Sequence, residues 1–94
     1  MNTANPSPRF TLGQILIAPR TQELLETAEL RDALRRHARG DWGEATPDEV
    51  ADNERGLRDG GGVLSVFRDG RDGKFCVMTN GNRSATLVVT GAEA

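Results

Sequence analysis

GVLSVFRDGRDGKFCVMTNGNRSATLVVT, residues 62–90, contains three runs rich in β-branched and aromatic residues, VLSVFRD, KFCVMTN and SATLVVT, none interrupted by proline. DGRDG and NGN separate them, and both are turn sequences that join adjacent antiparallel strands. The stretch therefore predicts a three-stranded antiparallel β-meander. A sheet of this size needs one face covered, and only the N-terminal half can cover it. The expected fold class is α+β, with N-terminal helices over 12–59 packed on one face of the C-terminal meander over 62–90.

Working outward from the sheet, Gly60-Gly61-Gly62 ends the preceding helix. That helix starts with Thr46-Pro47-Asp48-Glu49, which combines an N-cap Thr, proline at the first helical position and Glu three residues after the cap. It is expected to run to about Asp59 with Val50, Asn53 and Leu57 inward. Before it, LRDALRRHAR places Leu30, Ala33, Leu34, His37 and Ala38 on one helical face. Gly40 is suited to stop that helix in the left-handed conformation. A break near Glu29 separates it from a helix over 20–28 that Pro19 begins. Over TLGQILIAP the reading is divided. Leu12, Ile15 and Leu16 suit a helical face, and Thr11 with Gln14 forms a T-x-x-Q capping box, favouring a short helix stopped near Ala18. A short strand over 14–17 is the competing reading. Residues 1–9, with Pro6 and Pro8, are expected to form a flexible arm, and residues 10–94 one compact domain.

Ninety-four residues with 36% hydrophobic and 28% charged side chains fit a small globule, and a formal charge of −2 does not indicate a nucleic-acid partner. One cysteine, Cys76, excludes an internal disulfide and a multi-cysteine zinc site, and its apolar run suggests a small core residue. No run approaches the roughly 20 apolar residues that cross a bilayer. MNTANPSPRF lacks the basic-then-apolar order of a signal peptide, so a cytoplasmic protein with no membrane partner is expected.

The only His and the only Trp fall within six positions of each other in RRHARGDWGEATPDE, residues 35–49. His37 has no second His or carboxylate pair at ligand spacing, so no metal or cofactor is expected, and a structural role on the inner helix face is preferred. Trp42 is expected to plug the gap between two helices. Asn53, on the apolar stripe of its helix, must find partners if buried. It is expected to reach the Gly40–Gly43 loop or His37, so that His37, Trp42 and Asn53 form a polar joint. Charge is segregated: Arg31, Arg35, Arg36 and Arg39 face only Asp32, whereas Asp41 to Glu54 holds six carboxylates and no basic residue. Pairing with the arginine helix is the preferred explanation. The sharper one makes Asp41, Glu44, Asp48 and Asp52 a docking face. Arg83, Ser84 and Thr86 could hold a phosphate, and with His37 would give a crude ribonuclease set. Gly60-Gly61-Gly62 lacks the following Lys of a phosphate loop.

The segments FTLGQILIAP, RHARGDWG, GGVLSVFR and VMTNGNRSAT, with the Asn53-to-Leu57 spacing and the following LVV, resemble a family of small proteins encoded on plasmids, prophages and integrated elements. RHxxGDWG is the most specific piece. The chain departs from that pattern at Phe75-Cys76, where a Trp-containing pair is expected, at Asn82, where an acidic residue usually precedes the Arg, and in its TGAEA tail. The resemblance implies a compact accessory protein of a mobile element, and since no motif in the chain identifies a reaction, a non-enzymatic binding protein is expected. In its most specific form it would be an anti-CRISPR inhibitor that contacts a host protein or ribonucleoprotein defence complex, using Asp41, Glu44, Asp48, Asp52 and Arg83. The alternatives are a barnase/RelE-like toxin ribonuclease and a plasmid-maintenance or transcriptional regulator, although no helix-turn-helix with a basic recognition face is evident.

Overall fold

A computed structural model describes residues 7–71 and 73–91. The element order is β1 (Gln14–Ile17), α1 (Pro19–Leu24), α2 (Thr27–Ala38), α3 (Pro47–Asp59), β2 (Val63–Arg68), β3 (Lys74–Thr79) and β4 (Ala85–Thr90). The class is α+β. Among the described residues the sheet has four strands and mixed direction, in the order β1-β4-β3-β2, which corrects the expected three-stranded antiparallel sheet. β2, β3 and β4 are antiparallel neighbours, and β1 joins β4 in parallel.

The fourth strand is the stretch expected as a helix over 12–18. An isolated two-turn helix has a costly nucleus, and β-branched Ile15 and Ile17 suit a pleated strand better. Gly13 makes the pairing possible. At φ +64° it lies so close to the backbone of Ser84 that a β-carbon would overlap it, and Gln14 N–H then donates to Ser84 O at 2.9 Å. The Thr11/Gln14 capping box does not form, because Gln14 is already in the strand.

The helix boundary expected near Glu29 falls earlier. Leu25 turns extended at φ −101°, ψ 137° and is buried, and Glu26 caps α2, its N–H donating to Glu29 Oε1 at 2.9 Å. The α3 signal holds in full. Thr46 Oγ1 accepts from Glu49 N–H at 3.2 Å, Glu49 Oε1 accepts from Thr46 N–H at 2.8 Å, and Gly60 ends the helix at φ +86°. Of the arm expected over 1–9, residues 1–6 lie outside the described residues. Arg9, its last residue, is docked: its N–H donates to Ala38 O at 2.7 Å.

α1 and α2 cover one face of the sheet. Leu25, Ala33, Phe67, Phe75, Val77 and Val88 form the core, with Ile17, Leu30 and Leu34 packed against it. Burying each such large apolar side chain contributes about 1.5–3 kcal/mol. α3 does not lie over that face but runs along the β2 edge. There the carboxamide of Asn53 closes both hydrogen bonds of the outward Leu64 peptide: Nδ2–H to Leu64 O at 2.7 Å and Leu64 N–H to Oδ1 at 2.8 Å. The 42–44 loop continues the seal, with Val66 N–H donating to Trp42 O and Glu44 N–H to Val66 O.

The other face carries two apolar rows set by the strand register. Leu64, Met78, Leu87 and Leu16 run across all four strands, and Val66, Cys76 and Val89 run beside them. Leu16 and Leu87 remain 44% and 36% exposed. Cys76, expected in the core, is half-buried on this outer face, where burial and nearby Glu49 push its thiol pKa up.

Candidate functional site

The chemistry-bearing residues of the sequence gather at the corner between α2 and α3. α2 carries His37 to the inner sheet face, and Gly40 at φ +86° turns the chain so that Trp42 meets the same place. Phe10 completes the aromatic cluster. Its ring stacks on Trp42 at 6.2 Å and meets His37 edge-on at 5.2 Å, while His37 and Trp42 lie 5.8 Å apart. Gly43, at φ +63°, presses against Val66 O and the Phe67 ring, leaving no room for a β-carbon.

His37 has no exposed surface, and both ring nitrogens are engaged. A series of contacts passes through it. Asp41 O lies 3.2 Å from Ser65 Oγ, and Ser65 Oγ lies 2.6 Å from His37 Nδ1. His37 Nε2 is 2.9 Å from Thr79 Oγ1, which is 2.7 Å from Thr86 Oγ1. Thr86 Oγ1 donates to Leu12 O at 2.7 Å. Both ends are carbonyls, which only accept. With a neutral imidazole, three hydroxyls and one ring N–H supply four protons for these five contacts. Ser65 Oγ donates to Asp41 O at one end and Thr86 Oγ1 to Leu12 O at the other, so with a neutral ring one of the three inner contacts carries no proton, and which one depends on the tautomer. Burial, then the charge of Arg83, lower the His37 pKa from 6.5 to about 4, which keeps the ring neutral near pH 7.

The remaining polar residues are similarly committed. Trp42 Nε1–H donates to Glu54 Oε2 at 3.0 Å, and Arg9 grips the same carboxylate at 2.9 and 3.1 Å. The Arg9 hydrogen bond first, then that of Trp42, lower the Glu54 pKa to about 2. Asn53 does not reach His37 or the Gly40–Gly43 loop as expected, because its amide is spent on Leu64. The expected joint is therefore His37 and Trp42 with Phe10, Arg9 and Glu54, while Asn53 seals a strand edge. Arg83, in the left-handed region at φ +61°, donates to Gly61 O, Asn80 O and Gly56 O and stacks over Phe10 at 5.3 Å. It pins the β3–β4 turn to the end of α3. With Thr86 inside the buried series, the set of His37, Arg83, Ser84 and Thr86 does not open on a common cleft.

The acidic residues divide. Asp41 is held by Arg36 at 2.8 Å, which lowers its pKa, and accepts from Gly43 N–H. Glu44 meets Arg68 at 2.7 Å and Lys74 at 3.7 Å. Asp48 and Asp52 stand exposed on α3, the latter within reach of Arg55 one turn on. Glu49 and Asp52 border a groove floored by Leu64 and Met78, so the acidic flank of α3 adjoins the apolar outer face. Among the described residues no cluster of three or more His, Cys, Asp or Glu could hold a metal, and no helix is long and apolar enough to cross a membrane.

The sequence reading missed Phe10, Arg9 and Glu54, and also Ser65 and Thr79, and it assigned a phosphate-holding role to Thr86, which lies in the buried series. The last three were legible in principle: they occupy inward positions of their strands, where a hydroxyl must find a partner. No family model, curated protein or solved structure matches the chain.

Proposed function

We propose that the protein acts by binding a partner protein through its surface, without catalysis. One observation carries this reading: His37, the group best suited to proton transfer, is wholly buried with both nitrogens occupied, and Arg83 is spent on three backbone carbonyls. What faces solvent is the acidic flank of α3, with Asp48 and Asp52, beside the apolar outer face. In its most specific form, the reading makes the protein an accessory of a mobile element that inhibits a host defence complex, an anti-CRISPR role. That form rests on the resemblance of FTLGQILIAP, RHARGDWG and VMTNGNRSAT to proteins of such elements. Of the docking residues expected from sequence, Asp48 and Asp52 are the two to test, because Asp41, Glu44 and Arg83 already hold the fold together.

The test is inhibition of target-DNA cleavage by reconstituted CRISPR effector complexes. Stoichiometric inhibition is expected, weakened at least about tenfold by Asp48→Ala with Asp52→Ala while the melting temperature stays unchanged, a loss of about 1.4 kcal/mol in binding. Absence of inhibition across effector types removes the specific form. Cleavage of RNA by the purified chain, with growth arrest on expression, overturns the binding reading in favour of a toxin ribonuclease.

A further inference from the structure

The two edges of the sheet are treated differently. On β2 every outward peptide group of Leu64 and Val66 is occupied by Asn53 or by the 42–44 loop. On β1 the parallel register turns the peptide groups of Gln14 and Leu16 toward β4, so those of Ile15 and Ile17 point away from the sheet. Among the described residues they take no hydrogen-bond partner. Open edges are usually protected by shortness, a charge, a proline within the strand or a bulge. β1 is short, at four residues, but has none of the others, and no charged residue occurs from Phe10 to Pro19. Ile15 and Leu16 instead stand 44% exposed, one on each face of the sheet.

We propose that β1 pairs antiparallel with β1 of a second copy of this chain, across a twofold axis at Leu16. The strand is self-complementary in that register. Ile15 of one copy would exchange both backbone hydrogen bonds with Ile17 of the other, and the symmetric exchange gives four bonds in all, with Leu16 facing Leu16 as the non-hydrogen-bonded pair. A charged strand would repel itself across the axis, and this uncharged one does not. The exposed part of Leu16 meets its own counterpart and that of Ile15 meets Ile17 of the other copy, and the four-stranded sheets join into one of eight. The sealed β2 edge selects this arrangement by leaving β1 as the only strand with an open edge among the described residues. The contact is short, well under the roughly 1,200 Å² of a standard interface, so the association is weak and concentration-dependent.

The inference is independent of the defence partner proposed above, and its test uses the purified chain alone. Sedimentation equilibrium between roughly 10 µM and 1 mM, the range where small interfaces associate, should show the mass rising from 10.2 kDa toward twice that value. Leu16→Lys, at an exposed position, should keep the far-ultraviolet spectrum and weaken association at least about tenfold by placing like charges opposite one another. A second readout does not depend on that variant folding. In a Cys76→Ser background, Leu16→Cys should cross-link to itself under mild oxidation, because non-hydrogen-bonded antiparallel pairs sit at about 4.5 Å between α-carbons, within disulfide reach. Ile15→Cys should not, since its counterpart lies two residues out of register. A chain that stays monomeric at the top concentration, or one that cross-links equally through both cysteines, overturns the proposal.

Discussion

Lowering the pH from about 7.5 to about 4 is expected to remove about 3 kcal/mol of stability through His37 alone. Its pKa falls from 6.5 to about 4 on folding. The unfolded chain therefore takes up a proton below 6.5 that the native chain refuses until about 4. Stability is complete above the unfolded value and lost as the pH falls through this window, at roughly 1.4 kcal/mol per factor of ten in proton affinity. The carboxylates act later. Glu54, lowered from 4.5 to about 2, contributes stability present above 4.5 that is lost only below it. Its ion pair with Arg9 is also 40–44% exposed, so solvent screening leaves it roughly 0–1 kcal/mol. The interval from 6.5 to 4.5 thus belongs to His37, the only histidine. Urea unfolding monitored by Trp42, the only tryptophan and a buried one, reads the loss directly. His37→Gln removes the titration and should flatten that interval. A wild-type unfolding free energy that does not change between 6.5 and 4.5, or a His37→Gln variant with the same slope, would refute the neutral, buried state of His37.

Other outcomes follow from the same geometry. Asn53→Leu should cost about 2–4 kcal/mol, read as a lower melting temperature, because it strips both partners from the Leu64 peptide; an unchanged value contradicts the edge seal. Gly43→Ala and Gly60→Ala both place alanine at positive φ, but only Gly43 abuts Val66 O and Phe67, whereas Gly60 has open space. In denaturant titrations the first should lose clearly more than the about 1 kcal/mol expected of the second. Trp42→Phe keeps an aromatic ring against Phe10 but loses the bond to Glu54, so nuclear magnetic resonance titration should find the Glu54 pKa raised from about 2 toward its ordinary range.

The parts of this fold set by local chemistry were readable from the residues. Thr46-Pro47-Asp48-Glu49 satisfies the orphan donors of a helix start with its own side chains, and the three β-rich runs of 62–90 carry their own turn residues. β1 was not readable with the same security. Leu12, Ile15 and Leu16 fit a helical stripe as well as Ile15 and Ile17 fit a strand, and the deciding partner, β4, lies about 70 residues away in sequence. The site divides in the same way. The involvement of His37 and Trp42 followed from their closeness in the chain, but Arg9 and Glu54 meet across 45 positions with no periodicity to announce it. Asn53 was correctly marked as a buried amide in need of partners. Its partner was misassigned because helical periodicity gives the direction of a side chain and not the element that waits there.

The carboxamide of Asn53 also sets a limit on how far copies of this chain can build on one another. Filament growth by strand addition needs two receptive ends on every subunit, and here one end is stoppered from within. Any stacking along the sheet must therefore finish after a single step. Asn53→Leu would loosen that stopper without removing it, because the 42–44 loop still occupies both peptide groups of Val66.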